Sequence, residues 1–133
     1  MSLLGKKRGR PITKPQFEEV LKKFLVFLKR ELRFSEDIPL ILIDDVEFAK
    51  KIQAFGEISD KNVIRVSYIN RHPVDILRTV AHEYAHYKQH EKGIIGSGRA
   101  GSVTENQANA KAGELIRKYA NLHPELFEFV SIS

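Results

Sequence analysis

His82-Glu83-Tyr84-Ala85-His86 is the stretch on which this chain turns. The surrounding residues carry helical periodicity, and side chains four apart on a helix share one face. His82 and His86 can therefore close on a single metal ion, with Glu83 one step around and facing the ion's open position. A carboxylate placed there accepts a proton from a water that the metal has acidified.

Two imidazoles do not complete a catalytic zinc site, so a third protein ligand is required. The chain has no cysteine, which leaves His, Asp and Glu. The metzincin pattern needs Gly and His where this sequence has Gln89 and Lys92, and it is excluded. The gluzincin pattern takes a glutamate from the next helix. Glu105 stands in Thr104-Glu105-Asn106-Gln107-Ala108-Asn109-Ala110, and Ala108 and Ala112 give that helix a small-residue face for close approach. Glu105 also completes Ser102-x-x-Glu105, a capping box, so a structural role competes with ligation. His90 continues the His82/His86 face, but three ligands from one straight helix would splay apart, and a surface histidine is expected. Asp75, near the start of the metal helix, suits a dipole or capping role.

The elements around this motif read as α+β. Thr13-x-x-Gln16 with Pro15 is a helix start. Phe17, Val20, Leu21, Phe24, Leu25, Leu28 and Leu32 then carry an amphipathic helix to about Arg33. Pro39–Ile43 reads as a buried strand, and Asp44-x-x-Glu47 opens a short helix to Ile52. Ala54–Ile58 and Val63–Ile69 flank Ser59-Asp60-Lys61-Asn62 as a β-hairpin. Pro73 opens the metal helix, which buries Val74, Leu77, Val80, Ala81, Tyr84 and Ala85. Gly93 closes it, a glycine-rich loop follows, and a helix runs from Val103 to about Tyr119. Pro124 starts a short terminal helix or turn.

At 133 residues the chain has room for one core. No apolar run approaches membrane-spanning length, and the first residues are too short for a signal-peptide core. Cytoplasmic residence is expected, with a phage-encoded or virion-associated protein as the alternative.

The run Val63–Ile116, with Arg71-His72-Pro73-Val74-Asp75-Ile76-Leu77-Arg78-Thr79-Val80-Ala81 leading into His82–His86, resembles small gluzincin metallopeptidases of minimal bacterial and phage type, near the ImmA/IrrE-like group. The resemblance implies a minimal zincin fold, one Zn2+ held by His82, His86 and Glu105, and Glu83 as general base toward a peptide or protein substrate. Beyond the resemblance, an oxyanion donor is sought among His123, Tyr119, Tyr68 and His72, with His123 favoured. Asn109 or Asn106 would orient a ligand. Strand Val63–Ile69 would take up an extended peptide by main-chain pairing. The competing expectation is a metallopeptidase-like binding or structural module without turnover, such as a phage or nucleoprotein assembly component.

The net charge of +5 is carried by one end. Lys6, Lys7, Arg8, Arg10 and Lys14 fall within the first 15 residues, which contain no acid. Residues 1–13 are expected to form a flexible basic arm ahead of a domain at 14–133. Lys6-Lys7-Arg8-Gly9-Arg10-Pro11 resembles an AT-hook, which implies insertion into the narrow minor groove of A·T-rich DNA or nucleoprotein.

Overall fold

The computed structural model describes residues 10–52, 54–59, 62–93 and 103–132. The first long helix, α1 (Lys14–Glu31), starts at the expected box: Gln16 N donates to Thr13 Oγ1 at 3.2 Å, and Thr13 N donates to Gln16 Oε1 at 2.9 Å. Its apolar stripe buries Phe17, Leu21, Phe24, Phe27 and Leu28. The helix stops because Arg33 turns into the left-handed region at φ 59°, and Phe34 N reaches back to Lys29 O.

Three strands follow. They are β2 (Leu40–Ile43), β3 (Gly56–Ile58) and β4 (Ile64–Ser67), with α2 (Val46–Ile52) between the first two. Asp45, rather than Asp44, supplies the start of α2, accepting from Glu47 N at 2.9 Å. The hairpin forms as expected, with Gly56 opposite Val66 and Ile58 opposite Ile64. Its turn is closed by Ser59 N donating to Val63 O and by Asn62 at φ 62°.

Sheet order is β2-β4-β3, with β2 parallel to β4. This corrects two expectations. The Pro39–Ile43 segment is a half-buried edge strand whose Ile41 is 50% exposed. The strand within Val63–Ile69 is central, with both backbone edges already used, and offers no place for an added peptide. Among the described residues the open edge on the hairpin side belongs to β3. Ile64 and Val66 are fully buried, while Arg65 on the opposite pleat pairs with Glu57 across the hairpin and lies over the Phe48 ring.

Two long helices complete the core, α3 (Pro73–Glu91) and α4 (Val103–Leu122). His72 caps α3 by accepting from Val74 N at 3.0 Å. Gly93, at φ +76°, ends the helix in the left-handed conformation that glycine adopts without steric cost. The two helices lie against each other, burying Ala81 and Ala85 on one and Ala108 and Ala112 on the other. Phe24 and Phe27 of α1 meet Tyr119 of α4, ring centroids 4.9 Å apart in each case.

Part of the span expected as a basic arm is strand. Arg10–Ile12 forms strand β1, paired in parallel with an unanticipated β5 (Phe129–Ile132) that follows a 3-10 turn at Pro124–Glu128. Arg10 pairs with Glu128 at 3.5 Å and sits over the Phe129 ring. The second arginine and the proline of the AT-hook-like core are thus held in a strand of the folded body. Lys6, Lys7, Arg8 and Gly9 lie outside the described residues, as does most of the glycine-rich loop. No described helix is long and apolar enough to cross a membrane.

Candidate metal centre and cleft

The face of α3 carrying His82, Glu83 and His86 looks into a cleft of about 470 Å³. One wall is β3 with Phe55 just before it, and the other is α4, presenting Glu105 and Asn109. Glu105 sits between the imidazoles. Its Oε1 lies 2.9 Å from His82 Nε2, and its Oε2 lies 2.8 Å from His86 Nε2. One ligand atom from each of the three residues falls within 4.8 Å of the others.

The donor set fits a divalent ion of the zinc type. Ligands around a tetrahedral zinc stand about 3.3 Å apart when each bond is about 2.0–2.1 Å long.

Each imidazole is held from outside the ligand set. Gln89 Oε1 lies 2.9 Å from His86 Nδ1, and Gln89 Nε2 donates to Thr104 O at 3.0 Å. One side chain therefore fixes the ring of His86 and ties the end of α3 to the start of α4. The Asn109 side chain hydrogen-bonds His82. Burial holds His82 below the ordinary histidine range, against the opposing pull of Glu105. A neutral ring is the form that ligates.

Glu83 is largely buried beside the ligands, and burial pushes its carboxyl up to about 7. The β3 strand comes unusually close to it. A methyl group on Gly56 would stand 2.8 Å from Thr79 Cγ2 and 3.1 Å from Glu83 Cγ. Arg71 braces the same corner. It donates to Ser67 O, Asp75 O and Thr79 Oγ1, and stacks over the Phe55 ring at 4.1 Å.

The expected oxyanion donors are not at the cleft. Glu105 and His123 stand at opposite ends of α4, about 27 Å apart at 1.5 Å per residue. There His123 stacks on Tyr119 and lies 3.4 Å from Glu125. Tyr119 is core, Tyr68 lies under Lys14, and His72 is a helix cap. The donors lining the cleft besides the ligands are Arg78, Thr79, His90 and Asn109. His90 is exposed at the mouth, a surface histidine as expected. Gly56 and Gln89 escaped the sequence reading. A lone glycine at a strand start hints at close backbone approach, whereas nothing local marks a glutamine as a histidine's support. Ser102 lies outside the described residues.

The family model described as the IrrE N-terminal-like domain, a peptidase family, matches residues 37–133. The chain belongs to this family. The matched span of the IrrE-like domain begins just before β2 and takes in the sheet, α3 and α4, hence every residue of the candidate metal centre. No curated protein and no solved structure matches the chain. The resemblance to small IrrE-like metallopeptidases is borne out, and the α+β architecture agrees with it.

Proposed function

We propose that this IrrE-like domain is a zinc-dependent endopeptidase. The observation that carries the reading is the convergence of His82, His86 and Glu105 on one point, with a part-buried carboxylate, Glu83, in the same cleft. Zinc, when bound, supplies Lewis acidity and lowers the pKa of an attacking water toward about 7. His82, His86 and Glu105 would hold it, with Gln89 and Asn109 fixing the two rings.

Glu83 is the general base. It accepts the proton of the attacking water and passes it to the leaving amine. Buried under β3, its carboxylate is poorly hydrated, which keeps it basic enough for that transfer. The substrate is an extended peptide that adds to the outer edge of β3, where main-chain groups provide affinity independent of sequence.

Metal analysis paired with Glu83→Gln tests the proposal. The purified protein should hold one zinc per chain and cleave a quenched-fluorescent peptide library. Glu83→Gln should keep the zinc and lose about 10²–10⁴ in kcat. Equal turnover in the variant would remove Glu83 from the chemistry. A wild-type protein with full zinc and no hydrolysis of any peptide would leave the fold to binding alone.

A further inference from the structure

The metal cleft does not end at the ligands. A second cavity of about 330 Å³ adjoins it toward the start of α3, and Phe55, Arg78 and Thr79 line both. Two guanidinium groups face this second cavity. That of Arg71 is committed to Ser67, Asp75, Thr79 and the Phe55 ring. Arg78 is held more lightly, with its Nη1 3.6 Å from Asp75 Oδ1 and both side chains more than half exposed. Exposed pairs of this kind contribute little, so a better-placed carboxylate displaces Asp75 readily.

Position gives this cation a meaning. Arg78 stands one helical turn before His82 on the same face of α3, about 6 Å along the axis. The course of β3 sets the direction of a bound peptide. Phe55, just before the strand, sits beside Arg71 and Arg78, whereas Ile58 at its end lines only the metal cleft. The strand thus runs past α3 in the same sense as the helix. Antiparallel pairing is the slightly more stable sense per residue, and a peptide added to β3 in that sense sends its C-terminal part toward Arg78. With about 3.3 Å of rise per extended residue, that guanidinium lies within two or three residues of the reacting bond.

The geometry points to Arg78 as a specificity-determining residue that pairs with a peptide carboxylate on the leaving-group side of the cut bond. That carboxylate is an Asp or Glu side chain or the free C-terminus. The inference rests on the peptidase reading for the word "cut", but the recognition it describes is a binding property and is measured as one. Guanidinium and carboxylate match in two parallel hydrogen bonds, a fit that lysine does not reproduce.

The test uses the full-length Glu83→Gln protein loaded with zinc, so that bound peptides persist. Fluorescence anisotropy is read on acetylated, amidated hexapeptide libraries carrying Glu or Gln at one fixed position, and on a matching free-acid library. One Glu position, or the free C-terminus, should bind roughly tenfold tighter than its Gln or amide counterpart. Which of the two does so identifies the source of the carboxylate. Adding Arg78→Gln should erase that preference, so that Glu and Gln libraries bind alike, while Arg78→Lys should retain part of it. Cleavage products of the protein that keeps Glu83 should place the preferred carboxylate C-terminal to the cut bond.

A preference that survives Arg78→Gln would overturn the assignment. So would a preference absent from the start, no binding of any library, or a preferred Glu on the other side of the bond. Carboxylate-dependent binding without hydrolysis would instead remove the peptidase reading and leave Arg78 as the recognition residue.

Discussion

Glu83 is the residue where structure and acid–base behaviour meet most directly. Its carboxyl, ordinarily near 4.5, is raised to about 7 because burial disfavours the charged form. A raised acid destabilises the fold once it must ionise. Below about pH 4.5 it is protonated in folded and unfolded chains alike and adds no pH-linked cost. Between 4.5 and about 7 the unfolded chain releases the proton that the folded chain retains, so stability falls as pH rises. Above that window the full penalty applies, on the order of 3 kcal/mol. Metal-free Glu83→Gln should therefore melt higher than metal-free wild type at pH 8, by on the order of 10 °C. The gap should close by pH 4.5. Zinc should shrink it too, since a cation on the neighbouring imidazoles favours the carboxylate. Equal melting temperatures at pH 8 without metal would show that the carboxyl is solvated rather than buried.

At the scale of elements, the site depends on β3 lying close against α3, and Gly56 sets that distance. In Gly56→Ala the new methyl meets Thr79 Cγ2 at 2.8 Å, and Thr79 cannot turn aside cheaply. It is β-branched, and its hydroxyl is fixed between Asp75 O and Arg71. The substitution should cost about 1–3 kcal/mol in urea unfolding and lower turnover by moving the edge strand off Glu83. Thr79→Ser deletes the clashing methyl while keeping the hydroxyl, so the double variant should recover most of both losses. A single variant as stable as wild type would mean that the strand is free to move.

Sequence patterns exposed the parts of this arrangement that are periodic or local. The helical repeat around His82 and His86, the Thr13/Gln16 box and the Asn62 turn are each decided within a few residues. Glu105 was legible because small residues follow it on its own helix. The strand order was not, since nothing within β4 says that β2 will pair on its other side. Gly56, Gln89 and Arg78 matter only through partners on other elements or other turns. His123 does not reach the cleft, a separation already implied by the expected helix from Val103 to about Tyr119, which carries Glu105 at its start and leaves His123 past its end.

For the whole molecule, the decisive contact is the one that joins the chain's two ends. β1 and β5 pair in parallel across more than a hundred residues of sequence, with Ile12 only 2% exposed and Ile132 beside it in register. A basic arm would be dispensable to folding, whereas this segment is built into the core. Deleting residues 1–13 removes Ile12, the β1 ladder and the Thr13 cap together. Burial of one isoleucine is worth about 1.5–3 kcal/mol and loss of an N-cap about 1 kcal/mol. The truncated chain should therefore unfold at lower urea concentration, by several kcal/mol in total, with β5 amides exchanging hydrogen faster than those of β4. The same deletion removes Lys6, Lys7, Arg8 and Arg10, so DNA affinity measured at several salt concentrations separates two roles. Lost stability with unchanged, weak DNA binding would assign these residues to the fold. A stable truncated chain that has lost salt-dependent affinity would instead restore them to a nucleic-acid partner. The first outcome is expected, because Arg10 and Pro11 belong to the β1 strand paired with β5, with Arg10 set against Glu128 and the Phe129 ring.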